Sequence, residues 1–224
     1  MNVTLDTARA TESVQADTVN SIEWRSPIVL RPPLRPLSAG TPQTITLEIV
    51  PATLIVNSGA TANITATVYD LTGGLLSGVS LNGFITPSTH GMLSALSVTD
   101  ANGLSTGTWT AGTVIGSGTI EIGNSVISET ASITLAPDVP FTVTLEANPT
   151  SQTVGASSAL TATVIDQYGN AVLNSTNVTF TSNIGNPIAP ASTINGIATS
   201  SISSTVAGTA FITATAGGHS GFTS

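Results

Sequence analysis

Apolar and polar residues alternate with a period of two along much of the chain. Ile64, Ala66 and Val68 take turns with Asn63, Thr65 and Thr67, and Leu160, Ala162 and Val164 repeat the pattern later. Successive side chains of a strand point to opposite faces, so each run predicts a strand with one face on a core and one in water. Residues 44–48, 130–135 and 142–146 alternate in the same way. No window combines a helical period with helix caps. Asn102-Gly103 and Asn195-Gly196 are short-hairpin signals, since Asn and Gly tolerate positive φ.

The alternating runs occur in two copies. Thr44-Ile45-Thr46-Leu47-Glu48 matches Thr142-Val143-Thr144-Leu145-Glu146, and Ala66-Thr67-Val68-Tyr69-Asp70 matches Ala162-Thr163-Val164-Ile165-Asp166. Asn102-Gly103 matches Asn195-Gly196, and Val114-Ile115-Gly116 matches Val206-Ala207-Gly208. The spacing shrinks from 98 at Thr44 and Thr142 to 92 at Val114 and Val206, as small loop deletions allow. Each copy reads as about seven short strands, the strand number of an immunoglobulin-like sandwich. The predicted organisation is an extended arm over 1–42, one β-sandwich over 43–137 and a second over 138–224. Ala136-Pro137-Asp138-Val139-Pro140 links them, a short proline-bearing connection that limits bending.

The turns make the pattern more specific. Val164-Ile165-Asp166-Gln167-Tyr168-Gly169-Asn170-Ala171-Val172, Thr99-Asp100-Ala101-Asn102-Gly103 and Ser204-Thr205-Val206-Ala207-Gly208-Thr209-Ala210 resemble the conserved turns and strand of the bacterial immunoglobulin-like domains found in tandem in invasins and intimins. The first copy departs at Asp70-Leu71-Thr72-Gly73-Gly74, with Gly where the family has Asn. The resemblance covers residues 43–224. It implies an all-β fold of two tandem immunoglobulin-like sandwiches and a stiff, extracellular, non-catalytic spacer or adhesin module.

Charge narrows the function classes. Of 224 residues, 7 % are charged, and the formal net charge is −8. The four basic residues are Arg9, Arg25, Arg31 and Arg35, and residues 36–224 hold eight acids and no Lys or Arg. Such a surface does not neutralise phosphates, which excludes nucleic acid and an anionic membrane surface as partners. No apolar run reaches the ~18–20 residues of a membrane helix, and no signal peptide is recognisable at the N-terminus. With no Cys, disulfides and thiol chemistry are excluded, and with no Lys, so is a Lys–Asn isopeptide cross-link.

Candidate chemistry is sparse. Nucleophilic catalysis needs a positioned base, and the only histidines, His90 and His219, fall in Gly/Ser-rich sequence that predicts exposed turns. The chain therefore reads as no enzyme, with no catalytic residue, no cofactor and no metal site. Asp70, Asp100, Asp138 and Asp166 stand at predicted strand ends beside Asn and Gly, where Asx-turn capping explains them better than calcium at the linker. Glycosylation sequons occur at Asn2, Asn63, Asn174 and Asn177, and Asn63 falls on a predicted solvent face.

The two chain ends carry the remaining expectation. Residues 131–135 of the first copy map to 223–227, so the second sandwich is expected to lack most of its final strand, with Phe222, Thr223 and Ser224 as an acceptor edge. The arm is too short for a core of its own but holds extended apolar pieces, with Val19, Ile22, Trp24, Ile28, Val29 and Leu30 as donor-strand candidates. Strand donation from one copy to the next gives a head-to-tail homopolymer. The leading expectation is a structural subunit of an extracellular filament or cell-surface fibre, glycosylated and with a host or neighbouring cell surface as a further partner. The alternatives are an adhesin or stalk segment of a larger surface protein, and a virion decoration or tail appendage.

Overall fold

The alternation of residues 61–69 becomes strand β3, in which Ala62, Ile64, Ala66 and Val68 are buried and Thr61 and Asn63 are exposed. The computed structural model describes residues 40–56 and 59–224. Within them the first repeat contains β1 (Thr44–Val50), β2 (Thr53–Ile55), β3 (Thr61–Tyr69), β4 (Asn82–Thr86), β5 (Gly91–Leu93), β6 (Leu104–Ala111), β7 (Gly116–Gly123) and β8 (Ser128–Ala136). One sheet has the order β1-β3-β6-β5 and the other β2-β8-β7-β4. Their inner faces meet over Ile64, Val68, Trp109, Ile120, Ile122, Ile133 and Leu135, all buried. The Trp109 indole donates from Nε1 to the His90 carbonyl oxygen at 3.0 Å, which satisfies its polar atom inside the core.

The second repeat contains β9 (Thr142–Asn148), β10 (Ser157–Ile165), β11 (Asn177–Ser182), β12 (Ala191–Ser192), β13 (Ile197–Ser203), β14 (Ile212–Ala216) and β15 (His219–Thr223). Its sheets have the orders β13-β10-β9 and β12-β11-β14-β15. Leu160, Ala162, Val164, Val178, Phe180 and Ala214 form its core. The all-β, two-sandwich expectation is borne out, and the described residues contain no α-helix. The eighth strand of the first repeat is β2, a three-residue piece that pairs in parallel with β8.

Two local expectations are corrected. His90 is 3 % exposed, not a solvated turn residue, because the short 3-10 turn at Ser88–His90 tucks its ring under the Gly116 backbone. Asn195-Gly196 forms the expected two-residue turn, with φ of 51° and 76° and reciprocal bonds between Ile194 and Ile197. Asn102-Gly103 instead ends a longer turn, because the Asp100 carboxylate accepts from the Asn102 and Leu104 amides and imposes its own geometry. Phe222 and Thr223 belong to β15, which pairs through Thr213 and Ile212 with β14 on one side and is the last strand of its sheet.

Candidate functional site at the domain junction and the end groove

The junction is built on a buried carboxylate. Asp166 is 1 % exposed. Its Oδ1 accepts from the Tyr168 and Asn170 amides, both at 2.9 Å, which closes the turn after β10. Its Oδ2 accepts from the Asn170 Nδ2 at 3.0 Å and from the Asp138 amide of the linker at 3.2 Å. No cation is needed, because N–H donors surround the carboxylate, the condition for burying a charge at acceptable cost.

Asn170 extends this network into the first sandwich. Its Nδ2 donates to the Thr113 carbonyl oxygen at 2.8 Å, and its Oδ1 accepts from the Ile115 amide at 3.3 Å. Tyr168 packs against the first hydrophobic core. The linker is held from its own side: Gln167 Nε2 donates to Asp138 Oδ2 at 3.2 Å, and Asp138 Oδ1 accepts from the Val139 amide at 2.8 Å. At Gly217, with φ of 57°, an added Cβ would stand 2.9 Å from the Pro140 ring. The Asp-Gln-Tyr-Gly-Asn turn thus latches the second sandwich and the linker onto the loop between β6 and β7.

The first copy builds the same turn without the latch. Asp70 Oδ1 accepts from the Thr72 amide at 2.8 Å, the Thr72 hydroxyl at 2.7 Å and the Gly74 amide at 2.8 Å. The Thr72 hydroxyl, and then the Gly74 amide, hold this carboxyl below the usual carboxylate range. Gly74 occupies the place of Asn170 and has no side chain to reach across.

A groove opens in the second sandwich where the first is closed. In the first, Ser132 to Leu135 of β8 pair with Gly116 to Thr119 of β7, and Thr53–Ile55 runs parallel along the other side. Ile133 and Leu135 are 1 % and 2 % exposed, and Val56 is fully buried with its amide donating to the Ala136 carbonyl at 2.9 Å. In the second, Ile212 pairs with Thr223 as Ile120 pairs with Ala131, so β15 begins the equivalent strand. Beyond Thr223 the equivalent walls face a cavity of about 310 Å³ lined by Pro149 to Val154, Val206 to Ala210, Ile202 and Ile212, with Ser224 at its mouth. Val154, which corresponds to Val56, is 56 % exposed. Every lining residue is uncharged. Residues 208–211 and 151–153, equivalent to paired parts of β7 and β2, belong to no strand.

The other expected site residues are distributed around the molecule. Val19, Ile22, Trp24, Ile28, Val29, Leu30 and Asn2 lie outside the described residues. Asn63 is exposed on β3, Asn177 is exposed at the start of β11, and Asn174 is exposed with its Oδ1 accepting from the Asn195 amide at 2.7 Å. His219 is exposed and its ring lies 5.4 Å from that of Phe141. Among the described residues no group of three or more His, Asp or Glu is placed to hold a metal ion. In the sequence Tyr168 and Asn170 mark only the fold; the signal for the latch is that the two copies of the turn differ at those positions.

Solved structures share this architecture. InvD of Yersinia pseudotuberculosis superposes with a TM-score of 0.57 at 27 % identity, over 79 % of this chain and 53 % of that one. FdeC, an adhesin of Escherichia coli, superposes with a TM-score of 0.54 at 22 % identity, over 78 % of this chain and 60 % of that one. The two sandwiches have the fold of bacterial immunoglobulin-like adhesin domains. The resemblance carried by the turns is borne out at that level. No protein-family model matches the chain, and no curated protein matches it in sequence. The chain spans less than two thirds of either InvD or FdeC as solved.

Proposed function

We propose that the chain is an adhesin or stalk segment of a larger cell-surface protein, a non-catalytic spacer that holds two sandwiches at a set angle. The observation that carries this reading is the Asn170 bridge, which ties the second sandwich to the Thr113 and Ile115 backbone of the first. A spacer must resist bending, and polar bonds across a junction, together with Tyr168 seated against the first core, supply that resistance. The adhesin named among the structural neighbours supports the same location and class of role; nothing among those neighbours favours a virion appendage. The partner is then a host or neighbouring cell surface. Antibodies raised against folded residues 40–224 should label intact source cells. Labelling only after the cells are permeabilised would remove the surface reading.

A second reading is favoured by the groove. An uncharged cleft flanked by residues whose counterparts pair in the sister domain is a place for strand addition. In this reading the chain is a fibre subunit and other copies of itself are its partners, joined head to tail. A synthetic peptide with the sequence of residues 131–136 tests whether the groove takes a strand at all. Chemical-shift changes should be confined to residues around Gln152, Gly208 and Ala210.

A further inference from the structure

We propose that a recess on the outer face of the first sandwich is a binding site for a neutral pyranose. The inference deepens the adhesin reading and rests on it for its setting, a neighbouring cell surface that displays sugars. The recess lies where β4, β7 and the turn between β7 and β8 meet. Its volume is about 120 Å³, and one aromatic ring, one carboxylate and several uncharged polar groups line it.

Strand pairing builds the recess. Phe84 stands opposite Glu121, Asn82 opposite Gly123, and Gly123 opposite Ser128. Alternate residues of a strand share a face, so all of these look outward from one sheet. Gly123 is the floor, where an added Cβ would stand 2.5 Å from the Ser128 Cβ, so glycine keeps the space open. Asn124 Oδ1 accepts from the Val126 and Ile127 amides at 2.8 and 3.1 Å, which fixes the turn and leaves Nδ2 pointing outward as a donor without a partner among the described residues. Phe84 is 67 % exposed and forms one wall. A lone exposed aromatic needs no explanation. This one has unused polar groups around it: among the described residues, the side chains of Asn82, Glu121, Ser125 and Ser128 make no hydrogen bond or ion pair.

The second sandwich shows the same face without the recess. Register places Thr181 and Thr213 where the first has Phe84 and Glu121, and Thr179, Thr215 and Ser220 where it has Asn82, Gly123 and Ser128. There the Thr215 and Ser220 hydroxyls bond to each other at 2.9 Å, and the Thr179 hydroxyl donates to the Thr215 carbonyl oxygen at 3.4 Å. Phe222 is exposed on that face, but Thr213 and Thr181 complete its row, with no carboxylate or amide side chain. A plain threonine face therefore suffices for this sheet. The first copy departs from it with a ring, a carboxylate, an amide and a glycine floor, all at one spot.

The chemistry of the lining selects the ligand class. Glu121 repels an anion, and residues 36–224 hold no Lys or Arg to offset it. A guanidinium or ammonium satisfies Glu121 but has no acceptor, so the Asn82 and Asn124 amides and the Ser125 and Ser128 hydroxyls gain nothing from it. A neutral ligand bearing hydroxyls donates to Glu121 and accepts from the amides. Phe84 requires in addition that one face of the ligand be apolar, since the electron-rich face of the ring attracts C–H groups of positive character. A pyranose has both, a C–H face and an edge of hydroxyls. A few convergent polar groups beside an apolar wall are the usual means of orienting a small ligand.

Amide chemical-shift mapping on the full chain tests the site with methyl β-D-glucopyranoside, methyl β-D-galactopyranoside and methyl α-D-mannopyranoside. At least one of them should shift the amides of Phe84, Glu121 and Gly123 to Ser128 and leave those of β11 and β14 in place. Added sodium chloride should not change the affinity, because the ligand is neutral. F84T copies the sister face and should weaken binding about tenfold, with the circular dichroism of the parent chain. E121Q, which keeps the shape and removes the charge, should also weaken it. Undiminished binding by both variants overturns the assignment, and so do shifts confined to β11 and β14. N-acetylarginine amide is the cationic control: if it shifts the recess and the glycosides do not, the pyranose proposal falls. If no probe shifts these amides, the site itself is lost. Antibody labelling of source cells is independent of every one of these results, so the adhesin reading and this site fail separately.

Discussion

Asn170 and Thr113 are joined across the domain junction by a side-chain to backbone hydrogen bond of 2.8 Å. The same amide group reaches Asp166, so a single side chain links the second sandwich's turn to the first sandwich's loop. Residues Ala39–Ser224 accordingly form one compact unit.

The substitution N170G, which installs the residue found at Gly74, should loosen that junction. Two hydrogen bonds between the sandwiches disappear, each with a net value of about 1 kcal/mol. Residual dipolar couplings should then require separate alignment tensors for the two sandwiches, whereas one tensor should describe the parent. A single shared tensor in N170G would count against the latch.

Asp166→Ala should do more damage than N170G. It leaves the half-buried Tyr168, Asn170 and Asp138 amides without their acceptor, at a cost of about 2–3 kcal/mol. Urea unfolding followed by circular dichroism should show the midpoint of the second sandwich falling. An unchanged midpoint would mean that water replaces the carboxylate without penalty.

Trp109→Phe should destabilise the first sandwich by about 2–4 kcal/mol. The His90 carbonyl loses one of its two donors and keeps the Gly112 amide, and the smaller ring leaves space in a closed core. The calorimetric transition of the second sandwich should not move. Equal shifts in both transitions would show that the two domains unfold as one.

The Asp70 turn should weaken in acid. Its folded carboxyl titrates below the usual carboxylate range, chiefly because the Thr72 hydroxyl donates to the ionised form. A lowered folded value means that the contribution is present above the unfolded value and fades as pH falls through the folded one. In T72A the Asp70 midpoint, followed by carboxyl NMR, should move up toward the usual carboxylate range. A midpoint that stays put would assign the shift to the Gly74 amide instead.

The second sandwich should melt first. Ile133, Leu135 and Val56 are buried in the first, whereas the corresponding part of the second is an open groove with Val154 exposed. Loss of that much aliphatic burial is worth several kcal/mol by area. Heating a W24F chain should give a lower transition silent in fluorescence and an upper one reported by Trp109. A fluorescence change in the lower transition would reverse the order.

Alternation, turn residues and internal repetition made the sandwiches legible before any coordinates. The period-two pattern of residues 61–69 and 157–165 assigns a face to every side chain, and the pleat enforces it locally. The Asp-x-x-Gly turns were legible for the same reason: an Asp carboxylate bonding amides two and four residues ahead is a local event. His90 was misread because its burial depends on Trp109, nineteen residues away, and on a fold that brings β5 and β6 together.

The sequence by itself determined the strands, the repeat and the absence of Lys and Arg from residues 36–224. These follow from local geometry and composition. Only the tertiary structure decided that Asn170 meets Thr113, that Phe222 and Thr223 are already paired, and that the open cleft lies instead between residues 149–154 and 206–210. Each of those is a contact between segments distant in the chain. Loops, bends and domain packing select such contacts, and no periodicity along the sequence encodes them.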